Sequence, residues 1–163
     1  MRQPPPSTMK ILSLNCRGLG QPEAVQEVRS FIQLHRLSLV FLSETRCFND
    51  SVERLRRELG LPFGLGVGCY GRGGGLALLW TNEVCVKLQS YDKLHIDVMI
   101  VDRLSGAEMW RFTGFYGEPR RERRHRSWEL LHFLSNQSSA PWLCAGDFNE
   151  ILDATEQFDR WCA

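Results

Sequence analysis

Apolar residues in the first part of the chain follow two patterns, continuous runs typical of buried strands and a spacing typical of a helix. Residues 10–15 and residues 38–44 are short apolar runs typical of buried strands. Between them, Pro22 and Glu23 begin a helix that extends to about His35. Its apolar positions, which recur at helical spacing, are Val25, Val28 and Ile32. A strand, a helix and a strand in this order predict a β-α-β unit with a right-handed crossover and two parallel strands.

The following segment changes from a helical to a strand pattern. Asp50 and Glu53 predict a capping box for a short helix that ends at about Gly60. From residue 63 to residue 116, β-favouring runs separated by turn segments predict an antiparallel meander. These runs cover residues 75–80, 84–89, 94–101 and 108–116.

A helix over about residues 126–137 and a strand over residues 141–147 complete the pattern. Together the elements predict an α/β or α+β layered fold, a mixed sheet with helices on one face. The proline-rich residues 1–8 predict a loose tail, so the folded domain should cover residues 9–163.

Composition narrows the class of protein. A chain of 163 residues with 43% hydrophobic and 24% charged residues is typical of one globular domain. No apolar run has the length of a membrane helix, and the first residues lack the apolar stretch of a signal peptide, so we expect an intracellular protein without membrane contact. The six cysteines are scattered, which predicts reduced, structural thiols. A net charge of +1 argues neither for nor against nucleic acid.

Five polar residues stand at the ends of predicted strands. Asn15, Glu44 and Tyr116 close three of them, and Asp147 and Asn149 close the last. Ligands in layered α/β folds gather beyond strand ends. Glu44 and Asp147 suit Mg²⁺ or Mn²⁺, the amides of Asn15 and Asn149 suit a ligated water or a phosphate oxygen, and the Tyr116 phenol is a neutral donor toward developing charge. The pattern predicts a metal-dependent phosphodiester site.

Each of these residues also has a structural interpretation. An Asp-x-Asn sequence is often a turn device, Glu44 can cap the segment that follows it, and Tyr116 can be an ordinary aromatic residue at a strand end. Taken singly, none of them identifies a site. Their common position at strand ends favours the functional interpretation.

Two further segments invite a phosphate-binding interpretation. Residues 71–75 are glycine-rich but lack the Lys-Ser/Thr of a phosphate loop and lead into a strand, which favours a hairpin entrance. The other segment is strongly basic and directly follows Tyr116 and Gly117. It predicts nucleic-acid contact through phosphates, with a solvated loop and helix start as the alternative. Its arginines are Arg120, Arg121, Arg123, Arg124 and Arg126.

Five motifs follow one another along the chain. They are Ser13-Leu14-Asn15-Cys16-Arg17-Gly18-Leu19-Gly20, Leu42-Ser43-Glu44-Thr45, Gly73-Gly74-Gly75-Leu76-Ala77-Leu78-Leu79-Trp80, Thr113-Gly114-Phe115-Tyr116-Gly117-Glu118-Pro119 and Pro141-Trp142-Leu143-Cys144-Ala145-Gly146-Asp147-Phe148-Asn149-Glu150-Ile151-Leu152. Together they resemble the endonuclease/exonuclease/phosphatase superfamily, whose fold is deoxyribonuclease-I-like. The likeness is greatest to the apurinic-type endonuclease domain of plant non-long-terminal-repeat (non-LTR) retrotransposons, and it runs from about Met9 to Gln157.

The resemblance implies a four-layered α/β sandwich and a role for each site residue. Glu44 would be the principal Mg²⁺ ligand and Asn15 would assist at the metal and the phosphate. Asp147 would orient or activate the attacking water, Asn149 would bind the scissile phosphate, and Tyr116 would stabilise the transition state. The resemblance also implies DNA as partner and a nuclear location.

The chain departs from the family pattern at two places. Pro119 occupies a position where relatives with a Tyr-x-x-Asn pattern carry a phosphate-binding asparagine. The family's C-terminal Ser-Asp-His segment has no counterpart, because all four histidines precede Asp147. Losing acid-base help costs on the order of 10² to 10⁴ in rate, so we expect the chain to be inactive or severely impaired.

We therefore interpret the chain as the N-terminal part of a nuclease domain from a retroelement. Because the family's second sheet is expected mainly from later residues, the first sheet should expose an apolar face and favour self-association. One alternative is a non-catalytic remnant that binds nucleic acid through the basic segment. Another is an abasic-site repair nuclease or phosphatase of the same superfamily, against which the Cys16-Arg17-Gly18 and Phe115-Tyr116-Gly117 contexts weigh.

Overall fold

The computed structural model describes residues 8–69, 71 and 73–150. These contain eight strands, three α-helices and one 3-10 helix, and the prediction of a tail over residues 1–8 lies almost wholly outside them. The strands are β1 Ile11–Asn15, β2 Leu39–Ser43, β3 Phe63–Val67, β4 Leu76–Trp80, β5 Cys85–Asp92, β6 His95–Val101, β7 Glu108–Tyr116 and β8 Trp142–Asp147. The α-helices are α1 Pro22–His35, α2 Asn49–Leu59 and α3 His125–Ser135, and the 3-10 helix is Arg121–Arg123.

The strands form two mixed sheets of four strands each. The first has the order β1-β2-β4-β3, with β1 and β2 parallel, which confirms the parallel pair predicted for the β-α-β unit. The second has the order β5-β6-β7-β8, with β7 and β8 parallel. The predicted meander is therefore divided, because β3 and β4 pair in the first sheet whereas β5, β6 and β7 form a meander in the second.

The two sheets pack face to face over a fully buried core. Leu39 and Phe41 of the first sheet lie in one cluster with Ile96 and Phe112 of the second. Helices α1 and α2 cover the outer face of the first sheet, and α3 lies against the outer face of the second, where the Leu134 carbonyl accepts a hydrogen bond from Arg111. The four-layered sandwich is confirmed, but the prediction of an apolar sheet face exposed to water is wrong, because β5–β8 already supply the second sheet. Because that exposed face was the reason for expecting self-association, the structure gives no support for self-association.

Strand β3 was not predicted from the sequence, because two of its five residues are glycines. A Cβ at Gly64 would lie 2.4 Å from Leu79 Cδ2, and a Cβ at Gly66 would lie 2.3 Å from Val52 Cγ1. Both glycines are therefore needed for close packing against β4 and α2, although they remove the alternating pattern by which a strand is recognised.

Helix termini differ slightly from the predicted ones. Helix α2 begins at Asn49, one residue before the predicted cap, and Glu53 forms ion pairs with Arg56 and Arg57 rather than closing a capping box. Its end at Gly60 is confirmed by a left-handed C-cap. No helix within the described ranges is both long and apolar enough to cross a membrane.

A buried ion pair lies between α3 and the second sheet. Arg111 donates to both carboxylate oxygens of Asp97, at 2.8 and 2.9 Å, and only 2% of each side chain is exposed. Thr113 Oγ1 donates to the same carboxylate at 2.6 Å and accepts from Trp142 Nε1 at 2.8 Å. This network satisfies both charges and ties β6, β7 and β8 together.

Candidate functional site

Four strand ends converge at one edge of the sandwich. In the first sheet Asn15 is in register with Ser43, the residue before Glu44. In the second sheet Tyr116 is in register with Asp147. Because β1 contacts β8 across the sheet interface, the ends of both parallel pairs meet. The sandwich therefore gathers the polar residues that the sequence placed at strand ends.

The side chain of Asn15 joins two carboxylates. Its Nδ2 donates to Asp147 Oδ2 at 2.7 Å and lies 3.2 Å from Glu44 Oε1. Its Oδ1 accepts from the backbone N–H of Arg17 at 3.1 Å, which fixes the orientation of the amide. One amide group thus holds together two acids that are 103 positions apart in the chain.

Tyr116 completes this network from the other sheet. Its hydroxyl donates to Glu44 Oε1 at 2.9 Å, the same oxygen that Asn15 approaches. Burial, followed by the hydrogen bond and the charge of Glu44, raises the pKa of Tyr116 to about 12. The phenol therefore stays protonated at neutral pH and remains a hydrogen-bond donor.

Asn149 lies in a tight turn just beyond β8. Its backbone N–H donates to Asp147 Oδ1 at 2.9 Å, and its Nδ2 donates to the Gly117 carbonyl at 2.7 Å. Gly117 in turn donates its N–H to the Asp147 carbonyl, and a Cβ at Gly117 would lie 1.9 Å from the Phe148 carbonyl oxygen. The turn predicted for Asp-x-Asn is therefore present, and it orients the Asp147 carboxylate toward Asn15.

Backbone conformation also distinguishes this edge of the sheets. Arg17, Glu44, Arg46 and Asn149 all have φ between +51° and +54°. They are four of the five non-glycine residues with positive φ in the described part of the chain, and the fifth, Arg36, caps the end of α1. Unfavourable conformations of this kind concentrate at functional sites, where surrounding contacts hold them.

The glycine-rich loop supplies those contacts for Glu44. The Gly75 carbonyl accepts from the N–H of Thr45 at 3.1 Å, and the Gly74 carbonyl accepts from the N–H of Arg46 at 3.0 Å. A Cβ at Gly75, where φ is +89°, would lie 2.5 Å from Thr45 Oγ1. Through these hydrogen bonds to Thr45 and Arg46, the loop fixes the backbone of the segment that carries Glu44. Thr45, which is fully buried, is a site residue that the sequence reasoning missed.

The donor set fits a hard divalent cation. Within the described ranges no group of three or more His, Cys, Asp or Glu side chains converges, so the site offers two carboxylates and one bridging amide. Magnesium retains much of its water and takes one or two protein carboxylates. Glu44 and Asp147 would hold such an ion, with Asn15 beside them.

The basic segment divides into one paired arginine and several free ones. Arg124 Nη1 donates to Glu150 Oε2 at 3.3 Å, next to Asn149. Its Nε is buried without a hydrogen-bond partner among the described residues. The other predicted phosphate-binding arginines are exposed, and no described residue forms an ion pair with them. They are Arg120, Arg121, Arg123 and Arg126.

No histidine takes part in the Glu44–Asp147 network. His95 is buried and lies 2.9 Å from both Asp92 Oδ1 and Ser90 Oγ. His35 packs on Phe31 at the end of α1, with ring centroids 4.2 Å apart. The remaining two, His125 and His132, belong to α3. The site as described therefore has acids, amides and a phenol, but no imidazole.

Comparison with solved structures identifies the fold. The endonuclease domain of TRAS1, a telomere-specific non-LTR retrotransposon, has a TM-score of 0.62 at 14% identity, over 87% of this chain and 59% of that one. A humanized D. rerio TDP2 gives 0.62 at 18% identity, over 88% and 63%. An AP endonuclease from Archaeoglobus fulgidus gives 0.59 at 17% identity, over 87% and 58%. The chain thus spans less than two thirds of the length of each.

Sequence comparison gives the family. No curated protein matches the chain. The profile of the endonuclease/exonuclease/phosphatase family matches residues 12–161, which is nearly the whole sequence and includes every residue of the network. The chain therefore belongs to the endonuclease/exonuclease/phosphatase family.

Proposed function

We propose that the chain carries the metal-dependent phosphodiesterase centre of a DNA endonuclease of retroelement origin. The observation that supports this most strongly is the Asn15 bridge, in which one amide holds Glu44 and Asp147 while Tyr116 donates to the same Glu44 oxygen. Two acids, an amide and a protonated phenol at one point of the surface match the needs of phosphodiester hydrolysis.

Each residue has a definite part in the proposed reaction. A divalent cation, Mg²⁺ or Mn²⁺, supplies charge stabilisation and lowers the pKa of water when bound. Glu44 and Asp147 would hold this ion, and Asp147 would also accept the proton of the attacking water. Asn149, which uses one amide N–H on the Gly117 carbonyl, would donate the other to a phosphate oxygen, and Asn15, whose two N–H groups both face the acids, would keep Glu44 and Asp147 in place. The Tyr116 hydroxyl would turn from Glu44 to donate to the charge that develops on the phosphoryl group.

We propose further that this chain alone is severely impaired. Among the described residues no imidazole accompanies the two acids, so apart from the weakly acidic Tyr116 phenol the leaving oxygen takes its proton from water. A missing general acid costs about 10²- to 10⁴-fold in rate. The expected activity is slow nicking, detectable with enzyme in excess over the substrate.

Nicking of supercoiled plasmid tests both statements. We expect slow relaxation with Mg²⁺ or Mn²⁺, none with a chelator, and a loss of at least about 10²-fold in Glu44→Gln. Glu53→Gln, which removes an exposed carboxylate from α2, is the matched control and should nick at the parent rate. Metal-dependent nicking that Glu44→Gln leaves unchanged would contradict the assignment.

A second candidate function is non-catalytic binding of nucleic acid. The observation in its favour is the group of exposed arginines beside a site that lacks a histidine. A salt-dependent gel shift without any metal-dependent cleavage, even at high enzyme concentration, would support this candidate over the nuclease. In either case the proposed partner is DNA, and action on chromosomal DNA requires the nuclear location that the family resemblance implies.

A further inference from the structure

A cleft of about 410 Å³ opens beside Tyr116. One wall is the glycine-rich loop at Gly73–Gly75, the second is the turn between β5 and β6 at Lys93 and Leu94, and the third is the segment that follows β7. Since the phenol of Tyr116 belongs both to this cleft and to the Glu44 network, a molecule in the cleft would lie next to the proposed reaction centre.

The cleft is lined by cations that the fold does not neutralise. Lys93, Arg120 and Arg123 reach it from two of its walls, and all three side chains are exposed. No ion pair joins them to any residue that the structure describes, whereas Arg111 and Arg124 are both paired with carboxylates. Three free cations around one concave surface predict an anionic ligand.

The remaining lining is apolar or accepts hydrogen bonds. Leu94 is 8% exposed, and Pro119 adds a second apolar surface. Glu118 is 6% exposed, and its only hydrogen bond as an acceptor within the described chain comes from the Arg120 N–H, at 3.4 Å. An ionised carboxylate accepts hydrogen bonds but donates none. The cleft therefore suits a ligand with phosphate, an apolar face and N–H or O–H donors.

We infer that this cleft binds one nucleotide of a single-stranded segment adjacent to the scissile phosphate. A phosphate lies among Lys93, Arg120 and Arg123, the base or sugar packs on Leu94 and Pro119, and Glu118 accepts from a donor of the base or sugar. The volume suits one such unit. A nucleotide of a duplex would first have to be unpaired and unstacked to enter the cleft, which favours a single strand.

This inference rests on the proposed function for its nucleic-acid substrate, but its test does not depend on cleavage. Fluorescence anisotropy is measured with a labelled 12-nucleotide single strand and with the corresponding duplex, in chelator, over a range of salt concentrations. The variants are Lys93→Glu and Arg123→Glu. Arg36→Glu is the matched control, since Arg36 follows α1 at the opposite end of the first sheet from Asn15.

We expect the single strand to bind more tightly than the duplex. Each cleft variant should lose about tenfold in affinity for it. The slope of log K against log salt should decrease by about 0.7 per lost phosphate contact, and Arg36→Glu should change neither quantity. Circular dichroism and thermal melting of each variant check that the fold is retained.

Three results would overturn the inference. Equal binding by the parent, Lys93→Glu and Arg123→Glu would exclude the cleft, and tighter binding of the duplex would assign the cations to an open surface. Displacement of the single strand by millimolar inorganic phosphate would indicate a small phosphate ester as ligand. Failure of the proposed function is a separate outcome, because plasmid nicking insensitive to Glu44→Gln leaves the anisotropy result unaffected.

Discussion

Replacement of Gly75 by alanine should damage the proposed metal site without touching any of its side chains. At this position φ is +89°, and an added Cβ would lie 2.5 Å from Thr45 Oγ1 and 3.2 Å from the Arg46 backbone nitrogen. The left-handed conformation costs an alanine about 1–2 kcal/mol. Overpacking against a buried neighbour adds about 1–3 kcal/mol, and Thr45 is fully buried, so we expect a total of about 2–5 kcal/mol.

The same loop provides two internal controls. Gly74 has φ of +81° but no atom within 4 Å of an added Cβ, so Gly74→Ala should show only the conformational cost of about 1–2 kcal/mol. Gly73 has neither constraint, and Gly73→Ala should be neutral or stabilising by up to about 1 kcal/mol. The three variants therefore separate backbone strain from steric contact within three consecutive residues.

Urea unfolding followed by circular dichroism measures these free energies, and the Mg²⁺-induced shift in melting temperature reports on the site. We expect the order of destabilisation Gly75→Ala, then Gly74→Ala, then Gly73→Ala, and a reduced Mg²⁺ shift in the first. Equal stability of all three variants would refute the claim that Gly75 is pressed against Thr45. A strongly destabilised Gly75→Ala with an unchanged Mg²⁺ shift would refute the claim that the loop holds Glu44.

Three further predictions concern the core and the phenol. Asp97→Ala should lower the free energy of unfolding by about 3–5 kcal/mol, since it leaves Arg111 charged and buried. Adding Arg111→Met to this variant should recover much of the lost stability in urea titrations. A double variant as unstable as Asp97→Ala would contradict the claim that the unpaired buried charge causes the loss. Gly114→Ala should cost about 1–3 kcal/mol in the same assay, because its Cβ would lie 2.2 Å from Phe41 Cδ2 between the sheets; an unchanged midpoint would contradict close packing there. Spectrophotometric titration should show one of the three tyrosines ionising near pH 12, and Tyr116→Phe should remove that step. Because the folded pKa of Tyr116 exceeds its ordinary value of 10.0, the stability linked to its protonated form is present below pH 10 and is lost as the pH rises through 12. An ionisation near pH 12 that persists in Tyr116→Phe would assign the raised pKa to another tyrosine.

Local signals in the sequence predicted most of the elements and the grouping of polar strand ends. Apolar runs marked β1 and β2, helical spacing marked α1, and the residues closing four strands were brought into one hydrogen-bonded network. These features depend on periodicity and on the rule that ligands lie beyond strand ends, both of which operate over short stretches. The family resemblance extended them to the four-layered fold, which the structure confirms.

Local sequence signals could not predict which strands pair with one another. The insertion of β4 between β2 and β3 and the formation of a second sheet from β5 onward depend on contacts between distant residues, which no spacing along the chain reports. Strand β3 was missed because Gly64 and Gly66 serve close packing rather than strand propensity. The left-handed backbone at Glu44 is held by the hydrogen bonds that Thr45 and Arg46 donate to the glycine-rich loop, so it too could not be predicted from residue type.

The most direct test of the proposed site is the binding of Mn²⁺ followed by electron paramagnetic resonance of the free ion. We expect one Mn²⁺ site in the parent protein, and a loss of affinity of at least about tenfold in both Glu44→Gln and Asp147→Asn. Glu53→Gln, the matched carboxylate change on α2, should retain the parent affinity. Unchanged Mn²⁺ affinity in both Glu44→Gln and Asp147→Asn would contradict the assignment of these two acids to a metal-dependent phosphodiesterase centre.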